Sequence, residues 1–207
     1  MYRYIKRVFD ILFSFLLVLI TLPIMFILLF YLRIHFKSNP IFKQKRLGYK
    51  NNEFFIYKLK TMKDLFDEDG NPLPDKLRIT RQGALIRKLS LDEIPQVFNI
   101  LKGDMSFIGP RPLSVKNLPF YTERELKRHN VKPGISGLAQ INGRNSLDWD
   151  TRLEMDVFYV ENLSASLDIK IFFKTIQNVL SRKDIAITPQ IPSLIKTRSE
   201  NHKTVND

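Results

Sequence analysis

The residues best suited to chemistry are two adjacent carboxylates in Ser90-Leu91-Asp92-Glu93, at what reads as the start of a helix with Pro95 in the same turn. A helix N-terminus favours the charged form of an acid, which suits Asp92 as a nucleophile or metal ligand. Ser90 with Glu93 is equally a ready capping box with no catalytic role. Downstream, Gly103 to Pro112 ends in Gly109-Pro110-Arg111-Pro112, where two prolines restrict the backbone around Arg111. A rigidly aimed guanidinium is what bidentate phosphate recognition needs, although an arginine in such a turn is also commonly just exposed. Lys132-Pro133-Gly134-Ile135-Ser136-Gly137 through Asn142-Gly143-Arg144 offers glycine amides that can approach a phosphate. It is neither a P-loop nor a dinucleotide fingerprint.

Several elements must position these groups. Ile41 to Lys45 and Phe54 to Lys60 read as short strands joined by a turn over Gly48 to Asn52, and Asp64 to Lys76 has the composition of a surface loop. Ala84, Leu85 and Leu89 give a short helical pattern. Ile94, Val97, Phe98 and Leu101 recur at helical spacing, with Ser90 placed to cap the helix and Gly103 to end it. A polar helix is expected near Glu123 to Asn130 and another over Ser146 to Val160. Leu167 to Leu180 is amphipathic, with Ile169, Phe172, Phe173, Ile176, Val179 and Leu180 on one face, and it either packs on the domain or lies on a bilayer. From about Pro192 the chain is polar, and a mobile tail is expected. Trp149 is expected in the core. His35, His129 and His202 match no zinc spacing and are expected at solvent or interfaces.

Ahead of all this stand 22 uncharged residues, Ile11 to Leu32. As a helix they are roughly 33 Å long, enough for a hydrocarbon core. A signal peptide is disfavoured because Asp10 opens the run and no small-residue cleavage site follows, and a soluble helix because the run has no polar face. Pro23 stands mid-run, where a kink is expected, with Thr21 available to help satisfy the freed carbonyl. Basic residues flank both sides (Arg3, Lys6, Arg7; Arg33, Lys37, Lys43), so charge bias does not make either end external. The expectation is therefore a segment that enters the bilayer, bends and returns.

The whole chain has 207 residues, 33 basic and 21 acidic, for a formal charge of +12, and no cysteine. One cytosolic domain with a real core is expected, and cysteine nucleophiles, thiolate zinc sites and disulfides are excluded. The charge calls for a polyanionic partner: an anionic membrane, phosphorylated substrates or nucleic acid. No nucleic-acid module signature is present.

In order, Phe55 to Met62, Leu89 to Gln96, Asn99 to Pro112 and Pro133 to Arg144 resemble the small monotopic polyprenyl-phosphate phosphoglycosyl transferases of the bacterial sugar transferase family, over about Tyr4 to Arg182. The start Met1-Tyr2 and the stretch Leu163 to Ile171 are most similar to members acting on UDP-diacetylbacillosamine. The resemblance implies a mainly α fold with a short β-hairpin, a re-entrant N-terminal membrane helix and a compact cytosolic domain with interfacial amphipathic helices. The corresponding boundaries are 1–36, 37–191 and a flexible 192–207. It implies Asp92 as a nucleophile forming an aspartyl-phosphosugar, Glu93 as its acid–base partner, and Mg²⁺ held by either carboxylate. Arg111, Lys60, Arg87 and Arg144 would contact phosphate or nucleotide. The implied partners are undecaprenyl phosphate, a UDP-sugar, anionic membrane lipids and later glycosyltransferases of the pathway, not nucleic acid, at the cytoplasmic face of the inner membrane. A membrane-tethered scaffold and a basic nucleic-acid-binding module are the rival readings. The chain departs from the family pattern with Leu22-Pro23 where relatives often have Ser-Pro, and after Ile185, where no resemblance remains.

Overall fold

The structure is a computed structural model and describes residues 1–143, 146–181 and 192–204. The uncharged run lies within α1 (Tyr2–Phe36), a 35-residue helix that continues through Pro23. Proline has no amide for the carbonyl four residues back, that of Leu19. The Thr21 hydroxyl does not make up this loss; it donates to the Leu17 carbonyl at 2.7 Å. The helix stops where Lys37 takes a left-handed conformation, φ 50°.

Strands β1 (Ile41–Leu47) and β2 (Glu53–Leu59) form an antiparallel hairpin with Ile41 opposite Leu59 and Lys45 opposite Phe55. The expected loop follows, ending in the short α2 (Asp75–Arg78), and Thr80 then caps α3 (Arg81–Lys88) by accepting from the Gly83 amide at 2.9 Å. A single 3₁₀ turn, Leu91–Glu93, separates α3 from α4 (Gln96–Lys102), and Gly103 ends α4 at φ 93°, a region that favours glycine. The sequence did not disclose the parallel pairing of β3 (Ser106–Ile108) with β4 (Gly134–Ser136). Between them lies α5 (Glu123–Leu126), whose Thr122 and Glu125 form a true capping box and which runs on into a 3₁₀ turn to Asn130. After β4 come α6 (Leu138–Ile141), α7 (Trp149–Glu161), α8 (Ala165–Leu180) and α9 (Leu194–Thr204).

Helix α9 lies in the polar stretch after Pro192 and packs on the domain through its first turn. Leu194 is fully buried with Leu47, Tyr121 and Leu153, while Arg198 pairs with Glu125 at 2.6 Å and with Asp150. Two adjacent apolar residues, Leu194 and Ile195, in a polar stretch give no periodic signal, so the docking was invisible in the pattern. Trp149 stands at the edge of the same cluster and donates to the Pro192 carbonyl at 2.9 Å.

Both ends of α1 dock on this one domain. Arg7 donates to the terminal carbonyls of α4, Ile100 at 2.6 Å and Leu101 at 2.9 Å, and buried Asp10 accepts from the Ser106 hydroxyl and the Phe107 amide. At the far end Leu32 is fully buried against Leu59 and Ile86. Between these contacts Leu12, Phe15, Leu16, Leu19, Ile20 and Leu22 are exposed, and α1 is long and apolar enough to cross a membrane. The apolar face of α8 is likewise exposed, from Ile169 to Leu180, while Ile171 on its other side is buried.

Candidate active site

Ser90 is the residue that decides how the carboxylates point. It adopts φ 55°, ψ 20°, left-handed for a non-glycine residue, and its side chain caps nothing. Such a conformation costs on the order of 1–3 kcal/mol and persists only where the surroundings enforce it. The capping-box alternative is therefore not realised. The 3₁₀ turn that follows has about three residues per turn, so consecutive side chains diverge by about 120°. Asp92 turns inward and is buried, whereas Glu93 is half-buried and reaches two cations.

Glu93 accepts from the Lys58 ammonium at 2.7 Å and from the Arg111 guanidinium at 3.2 Å. Burial by itself would raise its carboxyl, but Arg111 and Lys58 outweigh burial and hold it at about 2. Asp92 goes the other way. Burial lifts its carboxyl above the ordinary value, and Glu93 adds to the rise, while Lys58 at 3.8 Å and Arg87 oppose it. Among the described residues no other side chain hydrogen-bonds the Asp92 carboxylate. A helix dipole, expected from the sequence to keep Asp92 ionised, is not what governs it: the residue sits in a short turn, and desolvation dominates.

Lys58 was missed from the sequence. Strand alternation puts Lys58 of β2 and Lys60, one residue past its end, on one side, but only tertiary placement tells which reaches the carboxylates. Lys60 does not: its ammonium bonds the Ser38 hydroxyl at 2.8 Å, pairs with Asp64 and lies over the Phe36 ring, at the foot of α1. Arg87 donates its Nε to the Thr61 hydroxyl at 2.8 Å and lies close enough to act on Asp92. Arg46 was also unforeseen; burial, and Arg111 beside it, lower its affinity for a proton. Arg144 lies outside the described residues.

The glycine loop has a structural use. The Gly109 amide donates to the Ser136 carbonyl at 2.8 Å and the Gly134 amide to Pro110 at 2.9 Å, so neither is left for a phosphate. A Cβ on Gly134 would lie 2.2 Å from the Gly109 nitrogen. The glycines let β4 lie against the turn that carries Arg111. That turn is held from below by Arg128, which donates to the Arg111 carbonyl at 2.7 Å and to Asp156 of α7. His129, expected at solvent or an interface, is buried beside Arg128; burial and that neighbouring charge push its imidazole down to about 3.

The segments resembling diacetylbacillosamine enzymes meet each other. The Tyr2 hydroxyl and Lys6 ammonium both reach Asp168 of α8, and Tyr159 donates to the same carboxylate at 2.7 Å. That network ties α1 to the domain and touches neither Asp92 nor Glu93.

A helix of membrane-spanning length docks on the domain at both ends, and the domain carries a buried Asp92 carboxylate within the influence of Lys58 and Arg87. The chain belongs to the bacterial sugar transferase family, whose pattern it matches over residues 1–182. It is 46% identical over 187 residues to the uncharacterized sugar transferase EpsL of Bacillus subtilis (strain 168), covering 90% of this chain and 93% of the relative. It is 38% identical over 192 residues to the UDP-N-acetylgalactosamine-undecaprenyl-phosphate N-acetylgalactosaminephosphotransferase of Aeromonas hydrophila, 87% of this chain and 44% of that protein. With the undecaprenyl-phosphate galactose phosphotransferase of Salmonella typhimurium it shares 39% identity over 197 residues, 87% of this chain and 41% of the relative. The chain therefore spans nearly all of the first relative and less than half of the other two.

Proposed function

We propose that the chain is a phosphoglycosyl transferase that moves a sugar 1-phosphate from a UDP-sugar to undecaprenyl phosphate and releases UMP. The observation that carries this reading is the buried Asp92 carboxylate, unclaimed by any other described side chain's hydrogen bond, beside a Glu93 that Lys58 and Arg111 neutralise. An oxygen of Asp92 attacks the sugar-linked phosphorus; the bond to the bridging oxygen breaks and UMP leaves. An oxygen of the polyprenyl phosphate then attacks the aspartyl phosphate, which returns the carboxylate and gives the lipid diphosphate sugar. Arg111, Arg87 and Lys58 offset the charge that builds up on the phosphates, and such electrostatic stabilisation supplies most of the rate in phosphoryl transfer. Glu93, held at about 2 and so ionised throughout, is too weak a base to take the acceptor's proton and instead positions Lys58 and Arg111.

A Mg²⁺ fits this donor set, since Mg²⁺ is commonly held by one or two carboxylates together with substrate phosphates rather than by an all-protein cage. The uncommitted oxygens of Asp92 and of Glu93 would hold it, and it would supply charge neutralisation on the diphosphate.

For the donor we favour a UDP-linked N-acetylated hexosamine of the 6-deoxy diacetamido type, on the resemblance at Tyr2 and Leu163 to Ile171. The Aeromonas relative is named for an N-acetylated hexosamine and the Salmonella relative for galactose. Release of UMP by the purified protein across a panel of UDP-sugars, with undecaprenyl phosphate as acceptor, tests both levels. Turnover of the N-acetylated donors is expected; preference for UDP-glucose or UDP-galactose would reject the sugar assignment, and no turnover at all the reaction.

We also read α1 as re-entrant, with the domain at the cytoplasmic face of the inner membrane. A single folded domain lies on one side of a bilayer, and both Arg7 and Leu32 are packed on it. The exposed apolar face of α8 would then lie in the interface. Because the chain has no cysteine, single cysteines at Tyr2 and Ser38 report the topology directly. Neither should react with an impermeant thiol reagent in intact cells, and both should react once the inner membrane is opened. Labelling of position 2 alone from outside would establish a spanning helix.

A further inference from the structure

Two concavities meet at His35, near the end of α1. One is a shallow apolar groove along α1 itself, formed by Phe26, Ile27, Phe30, Tyr31 and Ile34. The other is an open depression of about 300 Å³ whose wall includes Lys63, Arg78, Arg81 and the first turn of α3. His35 lines both, with its ring stacked on Tyr31 at 5.7 Å between centroids. The groove belongs to the exposed apolar part of α1 that the reading above places in the bilayer, and the depression to the domain surface beside it.

The depression has a surplus of positive charge. Lys63 and Arg81 are exposed and, among the described residues, make no ion pair. Arg78 gives one nitrogen to Asp75 at 2.7 Å, while its Nε is buried without a partner. The start of α3 adds main-chain amides on the same wall, because Thr80 takes up only that of Gly83. Three cations against one carboxylate, opening onto an apolar groove at membrane depth, call for an amphiphile with a multiply charged anionic head.

We propose that this cup and groove form the docking site of the polyprenyl phosphate acceptor, its phosphate monoester held by Lys63, Arg78 and Arg81 and its first isoprene units lying along Phe26 to Ile34. The proposal rests on the transfer reading above and adds a place for the second substrate. Charge selects the occupant: a monoester dianion matches the surplus better than a phospholipid diester with one charge. The site is a waiting position. Helix α3 carries the cup at its first turn and Arg87, which acts on Asp92, at its last, so the two phosphate sites are separated by roughly 9 Å of helix. A short movement of the headgroup along α3 would bring the acceptor oxygen towards the aspartyl phosphate.

The test uses the full chain in phosphatidylcholine nanodiscs and a benzophenone-bearing farnesyl phosphate as photoprobe, without any UDP-sugar. Labelling is expected on α1 between Phe26 and His35, displaced by undecaprenyl phosphate but not by undecaprenol or phosphatidylglycerol. The exposed pair K63Q/R81Q should lose about tenfold or more of the probe affinity, since each charge-assisted contact is worth about tenfold. Unchanged labelling in that variant overturns the proposal, as does equal displacement by phosphatidylglycerol, which would make the cup a general lipid-headgroup site. Labelling needs no turnover, so failure of the transfer reading would appear separately, as a wild-type protein that is labelled normally and releases no UMP.

Discussion

Asp92→Asn is expected to abolish transfer, by roughly a thousandfold or more, while leaving the fold intact. Asparagine fits the same buried space and keeps the turn, but its amide carries no charge and cannot form the acyl phosphate. Asp92 is a sound site for such a variant because no other side chain among the described residues depends on its carboxylate for a hydrogen bond. The same feature argues against a purely structural role, as a buried carboxylate without side-chain partners in hydrogen bonding costs stability rather than adding it. Wild-type protein incubated with a UDP-sugar labelled at the sugar-linked phosphorus, without acceptor, should retain label; the variant should not. A variant that transfers at the normal rate would sink the assignment. The acid limb of the rate in the wild type supplies a second reading. Burial raises the Asp92 carboxyl, so activity should fall with decreasing pH above the range of an ordinary aspartate. Glu93, held at about 2, stays ionised across that range and cannot be the source of the limb.

What the sequence disclosed was whatever depends on near neighbours. Uncharged length marked α1, alternation marked the hairpin, and helical spacing with Gly103 marked α4 and its end. The carboxylate pair was legible as a candidate because its types and position narrow the chemistry. What it meant locally was not, since Ser90 and Glu93 satisfy the capping pattern and yet the structure commits Glu93 to Lys58 and Arg111 instead. The choice between Lys58 and Lys60 turned on which end of β2 faces the turn, and only packing fixes that. The glycine loop suggested phosphate, but its first part pairs with a strand almost thirty residues away in the chain, and the Gly134 amide is taken by the Pro110 carbonyl. His129 and Arg128 sit in a polar-looking stretch, and nothing local reveals that Asp156 of a later helix draws them inside.

Breaking the pair that draws them in is expected to have the largest effect on stability. Arg128 is almost fully buried and donates twice to one oxygen of Asp156, at 3.1 and 2.7 Å, with its third nitrogen against His129. Arg128→Met removes the only cation in direct contact with the buried Asp156 carboxylate, among the described residues, and should cost about 3–5 kcal/mol. Burial already pushes the Asp156 carboxyl up against the pull of Arg128, so in the variant it would be forced to take a proton. A double replacement, R128M/D156L, removes both charges together, and buried pairs replaced by apolar groups of similar volume commonly regain their stability. The thermal midpoint of the detergent-solubilised protein should therefore fall sharply in the single variant and recover in the double. Transfer should not recover with it. Arg128 also holds the Arg111 carbonyl at 2.7 Å, and no apolar residue can replace that bond. Without it the turn between Pro110 and Pro112 loses its anchor, and Arg111 no longer meets Glu93 and the donor phosphates at a fixed angle. The defect should appear as a raised KM for the UDP-sugar, and a double variant with normal stability and a normal KM would show that Arg128 serves packing alone.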